Sequence, residues 1–231
     1  MAKRWTGIQA IAVDLEGTVL PISFVTDTLY PFARQRLEDF LAAHRGDPEV
    51  ETVIEEIQQI TQQSMDHAAL LAQLFAWMAA DQKIGPLKTL QGWIWAQGYA
   101  SGELQTPFYP DAAERLQAWY RHGVALYIYS SGSAYAQDLI VGHTQYGDLR
   151  PCFRDFFDTR VGHKRAAAAY RQISQQTGYS PSSLLFLSDV RQELDAARQA
   201  SWQTAWVVRQ ALPALAAAHP RVANLWSIRL D

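Results

Sequence analysis

The amino-acid sequence predicts an α/β fold: a doubly wound, Rossmann-like parallel sheet with an all-helical domain inserted after its first strand. Short apolar runs rich in β-branched residues predict buried strands near the start of the chain and again in its second half. Between them lie about a hundred residues in which apolar side chains recur at helical spacing. After that region, strands alternate with helices, as is typical of parallel strands joined by crossover connections.

The first strand is predicted at residues 8–13, an apolar run that ends at Asp14 and a turn at Gly17. Four further apolar runs follow after the inserted domain, of which DFFD is the weakest candidate because it is short and half polar. These later strands are predicted at 124–129, 155–158, 184–187 and 204–208.

The inserted domain is predicted at residues 22–106, between the core segments 1–21 and 107–231. Pro21 marks its first edge, and two prolines within residues 106–110 break any helix at its second edge. Four helical segments, each with apolar residues on one face and polar residues on the opposite face, predict a small helical bundle. The segments run through residues 29–41, 50–60, 70–78 and 87–95.

The bulk composition argues against several classes of protein. A formal net charge of −3 over 231 residues is unlike a nucleic-acid-binding protein, which needs a basic surface. No apolar stretch approaches the roughly 18 residues of a membrane span, so we expect a cytoplasmic enzyme. Cys152 is the single cysteine, which leaves no partner for an internal disulfide, and we interpret it as a passive thiol.

Polar residues follow four of the predicted strands or loops, at the sheet edge where ligands of such folds bind. Asp14 and Glu16 form an acid pair suited to nucleophilic attack and proton transfer, although an Asp/Gly turn at a strand end is common. Residues 130–133, Ser-Ser-Gly-Ser, offer hydroxyls and backbone N–H groups to an anion. The same residue types also make an ordinary helix cap, which is the alternative for this segment.

The other two polar positions are Lys164, which we predict to open a helix, and Asp189, which follows the 184–187 strand. A lysine at a helix N-terminus opposes the helix dipole and calls for an anionic partner, although a solvated surface lysine is the simpler alternative. Asp189 with Glu193 can bind Mg²⁺, unless Asp189 is a helix cap and Glu193 an exposed helical residue. Together the four positions supply a nucleophile, a phosphate clamp, a cation and a metal ligand, as phosphoryl transfer requires.

Five segments resemble the haloacid dehalogenase superfamily and, within it, the enolase-phosphatases of methionine salvage. Glu16 is the most specific feature, because most of the superfamily carries Asp at this position. Leu15, Val19 and Leu20 depart mildly from the family pattern at apolar or small positions. The segments are DLEGTVLPISFV at 14–25, LQGWIWAQGYASGEL at 90–104, YIYSSGS at 127–133, FFDTRVGHK at 156–164 and LFLSDV at 185–190.

The resemblance implies a role for each candidate residue. Asp14 is the nucleophile and a ligand of one Mg²⁺ per chain, and Glu16 is the acid that protonates the leaving oxygen and ligates the metal through its main-chain carbonyl. Ser130 and Ser131 bind the phosphate. The remaining implied roles are charge neutralisation by Lys164, metal ligation by Asp189 and support of the metal waters or of Lys164 by Glu193.

The same resemblance implies a monomeric enzyme whose helical insert is a cap that closes over a small phosphorylated diketone. Its substrate is 2,3-diketo-5-methylthiopentyl-1-phosphate, which is enolised with the help of Mg²⁺ and then dephosphorylated to the acireductone. We hypothesise that Glu16 is also the enolisation base, since Glu reaches one methylene farther than Asp. Trp93 and Trp95 are candidates for a slot around the methylthio tail, or else simply pack between helices.

Several rival functions remain open at different levels. The nearest alternative is a Mg²⁺-dependent phosphatase of the same superfamily that acts on another small phosphorylated metabolite. A haloalkanoate dehalogenase is disfavoured by Glu16, and a non-catalytic module by the presence of Asp14 and Asp189. The first strand is not followed by the glycine pattern of a nucleotide-binding dehydrogenase. His143 and His163 lack neighbours at zinc-ligand spacing, and we interpret both as structural.

Overall fold

A computed structural model describes residues 3–210 and 218–231 of the protein. The chain divides into two compact units, of which the first comprises Met1–Ile22 with Gln105–Asp231 and the second Ser23–Leu104. These limits differ by one or two residues from the division that we predicted at 22–106. The assignment of one unit as a catalytic core and the other as a cap stays a prediction.

Unit 1 contains the sheet that carries the candidate residues. Among the residues that the structure describes, eight strands form a six-stranded sheet in the order β4-β3-β2-β5-β6-β7 and a two-stranded sheet of β1 and β8, all parallel. The strands are β1 Lys3–Trp5, β2 Ala10–Val13, β3 Ala125–Tyr129, β4 Phe153–Phe157, β5 Leu184–Ser188, β6 Gln203–Val207, β7 Arg221–Val222 and β8 Ile228–Leu230.

The three central strands are buried along their whole length because both of their faces are covered. Every residue of β2, β3 and β5 is buried, as expected for a parallel sheet between helices. All five predicted strands are present, which confirms the predicted α/β class. β1, β7 and β8 were not predicted because runs of two or three residues are too short to show periodicity.

The register of the central strands brings the predicted polar ends together. Val13, the last residue of β2, lies beside Ile128 of β3 and Leu187 of β5. The residues that follow these positions therefore leave the same edge of the sheet side by side. Asp14 and the Ser188-Asp189 pair are thus close in space although 174 residues separate Asp14 from Ser188 in the sequence.

Unit 2 consists of helices in the part of the chain that the structure describes. Aspartates accept hydrogen bonds from backbone N–H groups at the start of two of them: Asp47 at α3 and Asp66 at α4. A π-helical turn, Val25–Leu29, joins the first two helices. The helices are α1 Ile22–Phe24, α2 Tyr30–Ala43, α3 Pro48–Thr61, α4 His67–Ala79 and α5 Gly85–Ala100.

The two tryptophans proposed for a methylthio slot pack within unit 2. Trp95 is buried, donates its indole N–H to the carbonyl of Leu29 at 2.7 Å, and stacks on Tyr30 with ring centroids 6.3 Å apart. Trp93 stacks on Phe40 at 6.4 Å. Packing between helices therefore accounts for both side chains, and a contact with substrate stays a prediction.

In the described part of unit 1, four longer helices connect and cover the strands of the sheet. Tyr129, Tyr170, Phe186 and Trp202 form an aromatic cluster beneath the sheet edge, with edge-to-face contacts of 5.2–5.5 Å that involve Tyr170. Among the described helices of the chain, none is long and apolar enough to cross a membrane. The helices of unit 1 are α6 Pro110–Arg121, α7 Ala134–Gly142, α8 Ala167–Thr177 and α9 Arg191–Gln199.

Candidate active site

Asp14 is the first residue after β2 and has both carboxylate oxygens held by polar groups. Its side chain is only 4% exposed. Oδ1 accepts hydrogen bonds from the Lys164 amine at 2.5 Å and from the Leu15 N–H at 3.0 Å. Oδ2 accepts from the Ser188 hydroxyl at 3.2 Å. A buried carboxylate held in this way has a fixed orientation, as a nucleophile must have.

Lys164 does not open a helix, so that part of the prediction is wrong. It lies in a turn between a short 3-10 helix, Thr159–Val161, and α8, which begins only at Ala167. The main-chain carbonyl of Lys164 accepts a hydrogen bond from the buried Tyr170 hydroxyl at 2.8 Å. The turn thereby directs the side chain toward the sheet edge instead of along a helix.

The Lys164 amine connects two buried carboxylates. It lies 2.5 Å from Oδ1 of Asp14 and 2.8 Å from Oε2 of Glu193, and the lysine side chain is 8% exposed. Burial alone would lower the pKa of the Lys164 amine, but the charges of Asp14 and Glu193 outweigh burial and raise that pKa above its usual range. The amine is therefore a permanent cation at the nucleophile.

Glu193 lies in the first turn of α9 and is buried, so the alternative of an exposed helical residue is wrong. Its Oε2 accepts from Lys164 and lies 3.0 Å from the Ser188 hydroxyl, whose single hydrogen is shared between Glu193 and Asp14. Burial and the charge of Asp14 raise the pKa of Glu193. Ser188 thus joins Glu193 to Asp14, a role that the sequence analysis did not assign.

Glu16 lies two residues after Asp14 and is hydrogen bonded to the loop that follows β3. Its Oε2 accepts from the Ser130 hydroxyl at 3.1 Å, and the same hydroxyl accepts from the Gly132 N–H at 3.1 Å. Burial, with the charge of Asp14, raises the pKa of Glu16. A carboxyl with a raised pKa keeps its proton at higher pH than an ordinary carboxyl does, as a general acid must.

The loop after β3 is the predicted phosphate-binding segment. Ser133, its last residue, caps α7 by accepting from the Ala136 N–H at 3.2 Å, so the helix-cap interpretation holds for Ser133. Ser131 is half-buried beside the fully buried Ser130. Gln137 holds the loop by donating a hydrogen bond to the carbonyl of Gly132 at 2.9 Å. Phosphate binding by Ser130 and Ser131 stays a prediction.

Asp189 is held at the end of β5 through Thr18, which belongs to the loop after β2. The Asp189 N–H donates to the Thr18 hydroxyl at 3.0 Å, and that hydroxyl lies 3.4 Å from Oδ1 of Asp189. The Trp206 indole donates to the Asp189 carbonyl at 2.9 Å. Burial and the charge of Asp14 raise the pKa of Asp189 to about 6.

Gly17 permits the close approach of Asp189 to the loop after β2. Its φ of +76° lies in the left-handed region, and a Cβ built on it would stand 2.3 Å from Oδ2 of Asp189. A side chain at residue 17 would therefore displace the carboxylate. Glycine in the DLEGT segment therefore serves two purposes: it allows the positive φ of the turn, and it leaves room for the carboxylate of Asp189.

The donor set at this edge fits Mg²⁺. Asp14, Asp189 and the main-chain carbonyl of Glu16 offer hard oxygen donors, and Lys164 is ion-paired with Asp14 and Glu193 alone among the described carboxylates of residues 14, 16, 189 and 193. Burial and the charge of Asp14 raise the pKa values of Glu16, Asp189 and Glu193, and a bound cation relieves the second of these two effects. Within residues 3–210 and 218–231, no group of three or more His, Cys, Asp or Glu side chains has metal-binding geometry. The predicted set needs only two such side chains, with water completing the coordination.

The histidines and the cysteine near the motifs are accounted for by local contacts. A ring nitrogen of His143 lies 2.9 Å from the Leu139 carbonyl, and His163 accepts from the Arg165 N–H at 3.1 Å. Cys152 is buried, and burial raises the pKa of its thiol. These contacts agree with the structural interpretation of the three residues.

A family model described as haloacid dehalogenase-like hydrolase matches residues 8–201 of the chain. Solved structures agree at the level of the fold: CbbY from Rhodobacter sphaeroides in complex with phosphate has a TM-score of 0.59 at 16% identity and covers 94% of this chain and 95% of its own. The UTR4 protein from Saccharomyces cerevisiae has a TM-score of 0.81 at 31% identity, covering 94% of this chain and 98% of its own.

Curated relatives narrow the family further. Enolase-phosphatase E1 of Methylococcus capsulatus is 44% identical over 223 residues, which are 96% of this chain and 98% of that protein. Enolase-phosphatase E1 of Pectobacterium atrosepticum is 48% identical over 203 residues, covering 87% of this chain and 89% of that protein. The chain belongs to the haloacid dehalogenase-like hydrolases and, within them, to the enolase-phosphatase E1 family. This confirms the predicted resemblance and the prediction of a phosphatase; the phosphatases of this superfamily generally use Mg²⁺.

Proposed function

We propose that the protein converts 2,3-diketo-5-methylthiopentyl-1-phosphate into 1,2-dihydroxy-3-keto-5-methylthiopentene and phosphate, as a cytoplasmic monomer of the methionine salvage pathway with one Mg²⁺ per chain. The observation that carries the proposal is the constellation around Asp14: a buried carboxylate held by Lys164 and Ser188, with Glu16 two residues away. The 44–48% identity to enolase-phosphatases E1 over most of the chain supports the substrate.

In the phosphatase step, a carboxylate oxygen of Asp14 forms a bond to phosphorus while the bond between phosphorus and the substrate oxygen breaks. Glu16 donates its proton to the leaving oxygen, a role supported by its raised pKa and by its contact with the Ser130 hydroxyl at 3.1 Å. Water then attacks the aspartyl-phosphate, passes a proton to Glu16, and releases phosphate with Asp14 regenerated. Lys164 balances the charge of the phosphorylated carboxylate throughout.

In the enolisation step, Glu16 in its ionised form removes the proton from the carbon next to a substrate carbonyl. The C–H electron pair forms the C=C bond, and the carbonyl oxygen becomes an enolate oxygen that takes up a proton from water. The raised pKa of Glu16, which burial and the charge of Asp14 cause, suits a carboxyl that is base in one step and acid in the next. Its longer side chain reaches one methylene farther than the aspartate found elsewhere in the superfamily. One residue can therefore serve both reactions in sequence.

The Mg²⁺ would be held by Asp14, Asp189 and the main-chain carbonyl of Glu16. When bound, it supplies Lewis acidity to a substrate oxygen and neutralises charge at phosphorus. The chain's own contribution is to orient the ligands: Thr18 and Trp206 hold Asp189, and Lys164 and Ser188 hold Asp14. Gly17 leaves the space that the Asp189 carboxylate occupies.

The test follows the enol by its ultraviolet absorbance and phosphate by a colorimetric assay in the same reaction. The proposal predicts that the absorbance and the phosphate both require Mg²⁺, and that Asp14→Asn abolishes phosphate release while Glu16→Asp slows both steps. Phosphate release from simple phosphomonoesters without turnover of the diketone would favour a phosphatase for another small metabolite instead. If Glu16→Asp slowed phosphate release alone, the assignment of Glu16 as enolisation base would be wrong.

A further inference from the structure

Arg209, just beyond the end of β6, is a partly buried cation that the proposed mechanism does not use. Its side chain is 14% exposed and its guanidinium lies 4.1 Å from the centre of the Tyr109 ring. One nitrogen, Nη1, donates to both carboxylate oxygens of Asp111 at 2.7 and 2.8 Å. The other two nitrogens, Nε and Nη2, donate to the main-chain carbonyl of Thr18 at 3.1 and 2.5 Å.

Asp111 is equally fixed by its surroundings. It lies in the first turn of α6, its side chain is 5% exposed, and its Oδ2 also accepts from the Leu225 N–H at 2.6 Å. A buried ion pair costs desolvation and is a weak source of net stability, so its position calls for another explanation. The guanidinium can bind a carboxylate with one side and a carbonyl with the other because its donors form a rigid fork.

The contact at Thr18 leads directly to the predicted metal site. Thr18 is fully buried, and its hydroxyl holds Asp189 by accepting from the Asp189 N–H at 3.0 Å. Arg209 therefore binds the main-chain carbonyl of Thr18. The side chain of Thr18 in turn positions Asp189, a predicted metal ligand. The chain of contacts runs from Asp111 through Arg209 and Thr18 to Asp189, all within unit 1.

We propose that Arg209 and Asp111 are positioning residues for the Mg²⁺ site, acting through Thr18 on the carboxylate of Asp189. The inference rests on the proposed function for the identity of the metal and its ligands. Groups that orient metal ligands typically contribute roughly 10- to 100-fold to metal affinity. We therefore expect Arg209→Lys, which keeps the charge but has a single amine, to weaken Mg²⁺ binding by about tenfold.

The experiment measures the Mg²⁺ affinity from the rise of the unfolding temperature with MgCl₂ concentration, without substrate. Arg209→Lys and Thr18→Val are expected to lose affinity, whereas Thr18→Ser keeps the hydroxyl and retains it. Arg150→Lys is the matched control, because Arg150 pairs with Asp148 and Asp138 at the surface and makes no contact with the site residues. High Mg²⁺ should restore much of the kcat of Arg209→Lys.

A double-mutant cycle separates positioning from general stabilisation. If Arg209 acts through Thr18, the combined Arg209→Lys/Thr18→Val variant binds Mg²⁺ about as weakly as Thr18→Val alone. Affinities of Arg209→Lys and Thr18→Val within twofold of the unmodified protein would overturn the inference and leave the proposed function intact. If Arg209→Lys and Thr18→Val bind Mg²⁺ more weakly but the unmodified protein does not turn over the diketone, the proposed function alone would be overturned. A protein that binds no Mg²⁺ would overturn both.

Discussion

Removing the amine of Lys164 leaves two buried carboxylates, Asp14 and Glu193, without their shared cation. Lys164→Met should therefore unfold more easily, by about 3–5 kcal/mol if the carboxylates remain charged, and should lose phosphatase activity. Adding Glu193→Gln removes one of the stranded charges and should recover part of the stability but none of the activity. Urea unfolding measures the stability and phosphate release measures the activity. If the double variant regained activity as well as stability, the role assigned to Lys164 would be contradicted.

Asp189 allows a prediction with a defined pH dependence. Its pKa of about 6 in the folded protein lies above the ordinary 3.8, so the folded state holds this proton more tightly than the unfolded state. The corresponding stabilisation is complete below pH 3.8 and is lost as the pH rises through 6. In EDTA at pH 8, Asp189→Asn should therefore raise the unfolding temperature, by roughly 2–4 °C for each kcal/mol recovered.

The same substitution should have little effect on the unfolding temperature at pH 4, where the carboxyl of Asp189 is already protonated. It should also abolish the stabilisation that Mg²⁺ gives to the unmodified protein. Thermal unfolding at the two pH values, with and without MgCl₂, measures both effects. A lower unfolding temperature for Asp189→Asn at pH 8 in EDTA would show that the ionised carboxylate of Asp189 does not destabilise the metal-free protein.

At the scale of elements, the loop after β2 depends on Gly17, and the chain offers a matched control. Gly17 and Gly178 have nearly the same positive φ, +76° and +75°, but only at Gly17 would a Cβ meet another atom within 4 Å. Both Gly→Ala variants should lose about 1–2 kcal/mol through the backbone conformation. Gly17→Ala alone should also lose Mg²⁺ affinity, because its Cβ displaces the carboxylate of Asp189.

Denaturant unfolding and Mg²⁺ titration of the two alanine variants test this account. Equal Mg²⁺ affinities in Gly17→Ala and Gly178→Ala would mean that the loop can move aside without disturbing Asp189. Glycine at residue 17 would then be needed only for the backbone conformation of the turn, and not for the close approach of Asp189.

The elements that the sequence predicts well are those with a strong local signal. β2, β3 and β5 are continuous apolar runs, and the helices of unit 2 carry regular apolar stripes. Lys164 was placed on a helix because the two residues that separate it from α8 include no glycine or proline to mark a turn. Local periodicity does not distinguish such a turn from the first turn of a helix.

At the scale of the whole molecule, the candidate site could be predicted in part because its main residues lie at strand ends. Asp14 follows an apolar run directly and Asp189 follows one after a single serine, so their convergence follows from a parallel sheet. Arg209 carries no such signal, since its partner Thr18 is 191 residues away in the sequence. Ser188 was visible beside Asp189, but its bridging role appears only once Asp14 and Glu193 are placed around it.

The claim on which the account depends is that Asp14 attacks phosphorus and is phosphorylated during turnover. The most direct measurement is rapid acid quench of the enzyme with substrate and Mg²⁺, followed by mass spectrometry of its peptides. The account predicts a transient phosphate adduct on the peptide that contains Asp14, absent from Asp14→Asn. An Asp14→Asn variant that retains full turnover, or a phosphate adduct on a different residue, would contradict it.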